Sequence, residues 1–167
     1  MKVFVTGVNG QLGHDVMNEL AKRGYEGVGS DLAPEYSGVE DGSAVTKMPY
    51  VSLDITDADA VDKVITEVNP EVIVHCAAWT AVDMAEDDDK VEAVRMVNVG
   101  GTQNIANVAK KLDVPMVYLS TDYVFDGQGT KPWEPDFKGY KPLNVYGETK
   151  LGGEKAVADI LDKYFIV

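Results

Sequence analysis

The stretch "KVFVTGVNGQLG", residues 2–13, is an apolar run that leads directly into three glycines at every third position, Gly7, Gly10 and Gly13. A strand, a glycine turn and a helix in this order predict a dinucleotide-binding βαβ unit. The glycines permit the turn, the approach of a pyrophosphate and close packing of the helix on the strand. The free N–H groups of the helix start favour phosphate. A tight turn without a ligand is the alternative. The predicted cofactor contacts here are Gly7, Asn9, Gly10, Gln11, Leu12 and Gly13.

Acidic residues end the next two predicted strands. Asp31 closes "EGVGSD" (26–31), 18 residues beyond Gly13, close to the spacing of the acid that binds the adenosine ribose in dinucleotide folds. Because a carboxylate accepts a hydrogen bond from the 2′-OH and repels a 2′-phosphate, Asp31 taken alone favours NAD over NADP. A solvated loop aspartate is the alternative. Asp54 and Ile55 end the third strand and are predicted either to flank the adenine or to be purely structural.

Strands and helices alternate along the rest of the chain, which predicts an α/β fold. We expect a Rossmann-type, doubly wound parallel sheet in three α/β/α layers, as one NAD(P)-binding domain over residues 1–167. The predicted strands are 2–6, 26–31, 50–54, 71–77, 115–120 and 164–167. The predicted helices are 11–23, 57–68, 87–112 and 144–163, the last with Asn144 as its N-cap.

Composition excludes several classes of protein. The 167 residues carry a net charge of −13, which argues against a nucleic-acid surface. The single cysteine, Cys76, excludes a disulfide framework and a thiolate zinc site. The sequence contains no apolar run long enough to span a membrane and no signal peptide. We therefore expect a soluble, cytoplasmic protein that binds neither membrane nor nucleic acid.

The stretch "YGETK", residues 146–150, places a tyrosine and a lysine four apart on a predicted helix. Tyr146 and Lys150 then share one helix face. An ammonium group about 6 Å away should lower the pKa of the phenol by about two pH units and make it a better acid–base catalyst. A surface Tyr–Lys pair is the alternative. Gly147, Gly152 and Gly153 are unfavourable in a helix, so they indicate either close approach by cofactor or backbone, or simple tolerance.

Four other features are expected to be structural. His75 lies in a buried strand and is predicted to be a hydrogen-bonded core histidine rather than a catalytic one. His14 is predicted to be solvated, and Cys76 to act as a small apolar residue. The acidic run 86–89 lacks the spacing of a calcium loop, so no metal site is predicted.

Five segments carry a resemblance to a known family. The chain resembles the dTDP-4-dehydrorhamnose reductases, which are extended short-chain dehydrogenases/reductases. The matching segments are "TGVNGQLG" (6–13), "CAAWTAVDMAE" (76–86), "VNVGGTQNIA" (97–106), "STDYVFDG" (120–127) and "PLNVYGETKLGGEKA" (142–156). They cover the whole chain in order.

The resemblance implies reduction of the 4-keto group of a nucleotide sugar by NADH or NADPH. It implies that Thr121 holds the substrate carbonyl and that Tyr146 donates the proton. Lys150 would bind the nicotinamide ribose and lower the pKa of the tyrosine. Asp122 and Tyr123 would contact the substrate, although Thr121 could instead be an ordinary strand-end residue and Tyr123 a core residue.

Other residues follow the family pattern less uniformly. The resemblance implies that Ala77 and Ala78 line the cofactor path and that Asn98 supports the site. Trp79 stands where relatives often have Tyr or His. Related dehydratases carry Asp-Glu after the threonine, whereas here Tyr123 follows Asp122, which favours reduction without elimination.

A second interpretation and the extent of the chain stay open. The regulatory beta subunit of methionine adenosyltransferase is similar to these reductases, so a non-catalytic NAD(P)-binding subunit is the alternative, as is another sugar-nucleotide reductase or epimerase. The resemblance also implies a C-terminal substrate-binding region that this chain lacks. We therefore expect poor turnover by the fragment alone, and a homodimer, if any, through regions outside it.

Overall fold

The computed structural model describes residues 1–39 and 41–167, and its centre is a six-stranded parallel sheet. The strands lie in the order β3-β2-β1-β4-β5-β6. This is the doubly wound order of dinucleotide-binding folds, so the predicted fold class is confirmed. The bounds are β1 Lys2–Thr6, β2 Glu26–Asp31, β3 Tyr50–Ser52, β4 Val72–His75, β5 Met116–Tyr118 and β6 Tyr164–Ile166.

In the part of the chain that the structure describes, five α-helices connect the strands. They are α1 Gln11–Lys22, α2 Ala58–Val68, α3 Val91–Arg95, α4 Thr102–Leu112 and α5 Val145–Ile160. A π-helical segment, Met96–Gly101, joins α3 to α4, and two 3₁₀ turns cover Asp83–Glu86 and Asp122–Val124. Among the described residues no helix has the length and apolar character needed to cross a membrane.

Two predicted helix bounds were wrong. The helix expected from residue 87 begins at Val91, because the acidic run before it forms turns, which Asp side chains favour over helix interiors. The last helix ends at Ile160 rather than at 163, because Leu161 is extended and leads into β6. Its start agrees with prediction, since the Asn144 side chain accepts a hydrogen bond from the Gly147 amide at 2.7 Å.

Apolar side chains pack on both faces of the sheet. On one face Phe4, Ile73 and Met116 pack with residues of α2, α4 and α5. On the other face Val3 and Val5 pack with residues of α1, and Cys76 adds to this cluster as an apolar residue. Alternate residues of β1 therefore serve opposite layers, as a sheet covered on both sides requires.

The segment between β2 and β3 folds over the start of α1. His14, predicted to be solvated, is fully buried there, so that prediction was wrong. Its ring nitrogens lie 2.6 Å from the Tyr36 hydroxyl and 2.7 Å from the Ser43 hydroxyl. The sequence shows no periodicity in this loop, and only the tertiary structure brings these hydroxyls onto the helix.

Candidate active site

The glycine turn presents backbone groups at the carboxyl end of β1. Gly7 has φ +74°, and a Cβ there would lie 2.6 Å from the Ala77 nitrogen. A Cβ on Gly13 would overlap the Gly7 carbonyl, so the helix packs against the turn only through glycine. Gly10 is the N-cap of α1, without a side-chain hydrogen bond to the cap and without an acid in the first turn.

The first N–H groups of α1 therefore lack both intrahelical acceptors and a described capping side chain. Gln11, Leu12 and Gly13 supply these groups, at the positive end of the helix dipole. This donor set, with the close backbone packing that the glycines allow, fits a pyrophosphate. The residues present thus fit a dinucleotide.

Asp31 lies directly beside this turn. Its carboxylate accepts hydrogen bonds from the Asn9 amide at 2.9 Å and the Leu32 amide at 2.7 Å. The Asn9 side chain in turn donates to the Glu35 carbonyl at 3.2 Å. The predicted ribose-binding acid is therefore held in place by backbone donors, and it is not a freely solvated loop residue.

A cavity of about 260 Å³ extends from the turn along the carboxyl ends of the strands. Asp54 lines it, but its carboxylate accepts hydrogen bonds from the Thr56 amide and hydroxyl at 2.9 and 2.7 Å. Ile55 is buried against the π-helical segment. The structure thus brings together six of the predicted cofactor-binding residues, Gly7, Asp31, Asp54, Ile55, Ala77 and Ala78.

A second group of predicted residues meets at the carboxyl end of β5. Thr121 precedes the 3₁₀ turn, and its hydroxyl accepts a hydrogen bond from the Tyr123 amide at 3.3 Å. The Tyr123 ring meets the Tyr146 ring edge to face, with centroids 5.5 Å apart. Asp122 lies between Thr121 and Tyr123, with one carboxylate oxygen 3.4 Å from the Thr121 hydroxyl. All four side chains therefore belong to one cluster.

Tyr146 does not have the lowered pKa that the sequence predicted. Burial raises its pKa, a hydrogen bond from Thr121 opposes this, and the charges of Tyr123 and Asp122 add to the increase. The prediction was wrong because the Lys150 ammonium turns toward β5, where it donates to the Leu119 carbonyl and lies 4.3 Å from the Tyr118 ring centroid.

Lys150 itself is strongly perturbed. The residue is buried, with only 4% of its surface exposed to solvent. Burial lowers the pKa of the ammonium to about 8, with Glu154 and Cys76 acting in the opposite direction. A buried lysine with a pKa this close to neutrality is typical of functional sites.

The π-helical segment connects the two groups. Asn98 is buried, and its side chain accepts from the Trp79 amide at 2.8 Å and donates to the Thr149 hydroxyl at 3.0 Å. Trp79 lines the 260 Å³ cavity, and Thr149 precedes Lys150 on α5. π-Helical turns are frequent at functional sites, and this one joins the cavity wall to the Tyr–Lys helix.

His75 is the hydrogen-bonded core histidine that the sequence predicted. The Thr102 hydroxyl donates to the Asn98 carbonyl at 2.8 Å, so it accepts from His75 Nε2–H, 3.1 Å away. On the other side Thr6 accepts from the Ala77 amide and donates to His75 Nδ1 at 2.7 Å. Burial, helped by the Lys150 charge, lowers the pKa of His75 to about 3, so it is neutral.

The glycines of α5 are explained by close backbone approach. A Cβ on Gly147 would overlap the Tyr123 carbonyl, and one on Gly153 would lie 2.9 Å from the Asn98 carbonyl. On Gly152 it would lie 2.8 Å from a Val99 methyl group. The glycines therefore let α5 dock tightly against both the 3₁₀ turn and the π-helical segment.

Sequence reasoning missed two polar residues beside Lys150. Glu154 is 8% exposed, and its carboxylate accepts a hydrogen bond from the Ser120 hydroxyl. The available signal was the continuation of the Tyr146–Lys150 spacing by a further four residues.

No group of metal-binding side chains occurs among residues 1–39 and 41–167, and the acidic run 86–89 forms none.

Comparison with known proteins identifies the family. The model of the RmlD substrate binding domain matches residues 1–167. The chain belongs to this family. It is 38% identical over 165 residues to a dTDP-4-dehydrorhamnose reductase of Streptomyces griseus, covering 98% of this chain and 47% of that protein.

Two further relatives bear on the interpretation. Methionine adenosyltransferase 2 subunit beta of Rattus norvegicus is 35% identical over 158 residues, covering 95% of this chain and 43% of that protein. The crystal structure of dTDP-4-dehydrorhamnose reductase from Bacillus anthracis, in complex with NADP, has a TM-score of 0.78 and 34% identity, covering 99% of this chain and 51% of that chain.

The family predicted from the sequence is confirmed. The complex of the Bacillus anthracis protein with NADP agrees with the predicted cofactor class. The chain spans about half the length of the curated relatives it matches.

Proposed function

We propose that this chain carries the cofactor-binding and catalytic residues of an NAD(P)H-dependent reductase of a 4-keto nucleotide sugar, with dTDP-4-dehydrorhamnose as substrate. The observation that carries the proposal is the cluster of Thr121, Tyr123 and Tyr146 at the carboxyl end of β5, joined through Asn98 to the wall of the cavity beside the glycine turn. In doubly wound sheets ligands bind at the carboxyl ends of the strands.

The glycine turn and α1 would hold the pyrophosphate of the cofactor, and Asp31 its adenosine ribose. When bound, the reduced nicotinamide supplies a hydride to the carbonyl carbon. Lys150 would bind the nicotinamide ribose through its N–H groups. The residues of this chain thus position the hydride donor, and the remaining requirement is a proton for the carbonyl oxygen.

Tyr146 would donate that proton. Burial raises the pKa of its hydroxyl, so the hydroxyl is protonated at neutral pH, as a proton donor must be. Thr121 would hydrogen-bond the same carbonyl oxygen and later the tyrosinate, and it already acts to lower the pKa of Tyr146 against the effect of burial. Tyr123 would form the wall against which the sugar lies.

The same turn argues against a dehydratase. Elimination of water needs an acid–base pair after the threonine, and here an aromatic ring follows Asp122. The Tyr123 ring packs on Tyr146 and contributes no carboxylate. Reduction without elimination is therefore the chemistry that these side chains support.

The second candidate function is a non-catalytic NAD(P)-binding subunit. The 35% identity to a methionine adenosyltransferase beta subunit over 95% of the chain favours it. Such a subunit needs the glycine turn and Asp31, but it makes no use of a proton donor beside the cofactor.

Oxidation of NADH or NADPH in the presence of dTDP-4-dehydrorhamnose separates the two functions. The reaction is followed at the nicotinamide absorbance, with the 167-residue chain and with any longer native polypeptide that carries it. Substrate-dependent oxidation supports the reductase. Tight cofactor binding by the longer polypeptide without oxidation of the cofactor would contradict it and favour the subunit.

A further inference from the structure

The face of α5 that carries Tyr146 and Lys150 continues to a buried carboxylate. Glu154 follows Lys150 by one helical turn, so the three side chains form one stripe. Glu154 is 8% exposed, and the proposed chemistry assigns it no role. A carboxylate this deeply buried is costly unless it is paired or hydrogen-bonded.

The surroundings of Lys150 supply few charges. From β4 and the residue after it come His75, which is neutral with a pKa of about 3, and Cys76, whose thiol pKa burial raises to about 11. From β5 comes Tyr118, whose pKa is also raised by burial. None of these three groups is charged at neutral pH.

The remaining elements leave one anion near the ammonium. The π-helical segment and α4 contribute the neutral side chains of Asn98 and Thr102. On α5 itself Tyr146 is protonated, and Asp122 of the 3₁₀ turn acts on Tyr146. Among the described groups that affect Lys150, Glu154 is thus the one carboxyl group, and it opposes the lowering of the lysine pKa by burial.

Glu154 also holds the backbone that faces Lys150. Its carboxylate accepts from the Ser120 hydroxyl, and the Ser120 amide donates to the Val167 carbonyl at 2.6 Å. Ser120 stands between Leu119, whose carbonyl accepts from the Lys150 ammonium, and Thr121. The Glu154 carboxylate therefore anchors, through Ser120, the end of β5 that carries Leu119 and Thr121.

We propose that Glu154 is a positioning residue for the reduction, which keeps Lys150 charged through the field of its carboxylate and fixes the Leu119–Thr121 backbone through Ser120. This inference rests on the proposed function for its role in turnover. Its electrostatic part concerns only the residues of this chain, so it is testable without substrate.

The direct test is an NMR titration of the lysine side chains in the chain labelled with ¹³C at the lysine Cε, between pH 6 and pH 10.5. The resonance that is missing from Lys150→Met identifies Lys150. In the parent chain we expect its midpoint near pH 8. In Glu154→Gln we expect the midpoint to fall by about one pH unit, because a nearby carboxylate raises a lysine pKa by that order.

The matched control is Glu148→Gln, which removes the same charge from the same helix. Glu148 is half-exposed and lies 3.7 Å from an Arg95 nitrogen, so its charge is screened by water. We expect the Lys150 midpoint to be unchanged there. An unchanged midpoint in Glu154→Gln, or an equal fall in both variants, would overturn the proposal.

Ser120→Ala separates the field from the anchoring bond, because it removes the hydroxyl and keeps the carboxylate. We expect the Lys150 midpoint to stay within about 0.3 pH unit of the parent, well below the shift expected from a lost charge. A fall as large as that in Glu154→Gln would overturn the electrostatic part. If Glu154→Gln does not fold, Glu154→Asp replaces it. The shorter side chain withdraws the carboxylate from the Lys150 ammonium, so the Lys150 midpoint must fall in this variant too, by a smaller amount.

The pH profile of turnover tests the role in reduction. The alkaline decline of kcat should begin about one pH unit lower in Glu154→Gln than in the parent and Glu148→Gln, at equal saturation with NADH. A parallel loss at all pH values would show a merely structural role. If the NMR midpoint shifts as expected and no variant reduces the sugar, the proposed function fails while the coupling of Glu154 to Lys150 stands.

Discussion

The two halves of the candidate site are built in different ways. The glycine turn, residues 6–13, offers backbone amides that are adjacent in sequence, and Asp31 is placed beside it by the pairing of β1 with β2. The Tyr146 region offers side chains from β5, the 3₁₀ turn and α5, and its protonation states depend on burial. Local chain geometry therefore determines the first half, and packing determines the second.

Tyr146→Phe should have the largest effect, and it should disable only the Tyr146 half of the site. Without the hydroxyl the proposed proton donor is lost, so we expect kcat for sugar reduction to fall about 10²–10⁴-fold. NADH affinity, measured by calorimetry, should be unchanged, because the backbone amides of the turn are intact. Tyr25→Phe, a partly exposed position remote from the site, is the control. Undiminished turnover in Tyr146→Phe would contradict the assigned role.

Gly7→Ala should break the first half. The positive φ and the contact with the Ala77 backbone both oppose a side chain, so we expect a loss of about 3 kcal/mol in the free energy of unfolding, and at least tenfold weaker NADH binding. Gly24 also has positive φ, +72°, but an added Cβ there has no neighbour within 4 Å. Gly24→Ala should therefore cost only about 1 kcal/mol and leave NADH affinity intact. Equal losses in the two variants, measured by urea unfolding, would refute this account.

The pH dependence of the free energy of unfolding tests the buried, neutral state of His75, which connects the two halves. Its folded pKa of about 3 is below the unfolded value of 6.5. Its contribution is therefore fully present above pH 6.5 and is lost as the pH falls toward 3, because only the unfolded chain then binds the proton. Between pH 7 and pH 5 the parent should lose about 2 kcal/mol more unfolding free energy than His75→Gln. Urea unfolding at both pH values measures this, and identical losses would show that His75 is not buried as a neutral ring.

Substitution of Asp31 should give the smallest effect, and it tests how the glycine-turn half of the site chooses its cofactor. Its carboxylate disfavours a 2′-phosphate, so we expect tighter binding of NADH than of NADPH, by about tenfold, and loss of that preference in Asp31→Asn. Asp62→Asn is the matched control, since that carboxylate pairs with Lys111 at 2.7 Å and does not line the cavity. Calorimetric titration with both cofactors decides the matter, and a preference that survives in Asp31→Asn would assign it to another residue.

Most of the fold follows from local sequence pattern. The six strands, the glycine turn and the Asn144 cap were predicted because apolar runs, glycines and capping residues act over a few neighbouring positions. The candidate cofactor residues on the strand ends also followed, since parallel strands bring their carboxyl ends to one edge. The helix bounds at residues 87 and 163 failed, because turn formation and sheet pairing overrode the pattern.

The sequence by itself therefore determined the doubly wound sheet, the glycine turn and the pair Tyr146 and Lys150 on one helix. Only the tertiary structure decided that His14 is buried, that Lys150 points to β5, that Glu154 accompanies it and that burial raises the pKa of Tyr146. The physical reason is that spacing along a chain sets which residues share an element, whereas desolvation and charge depend on what other elements pack against them.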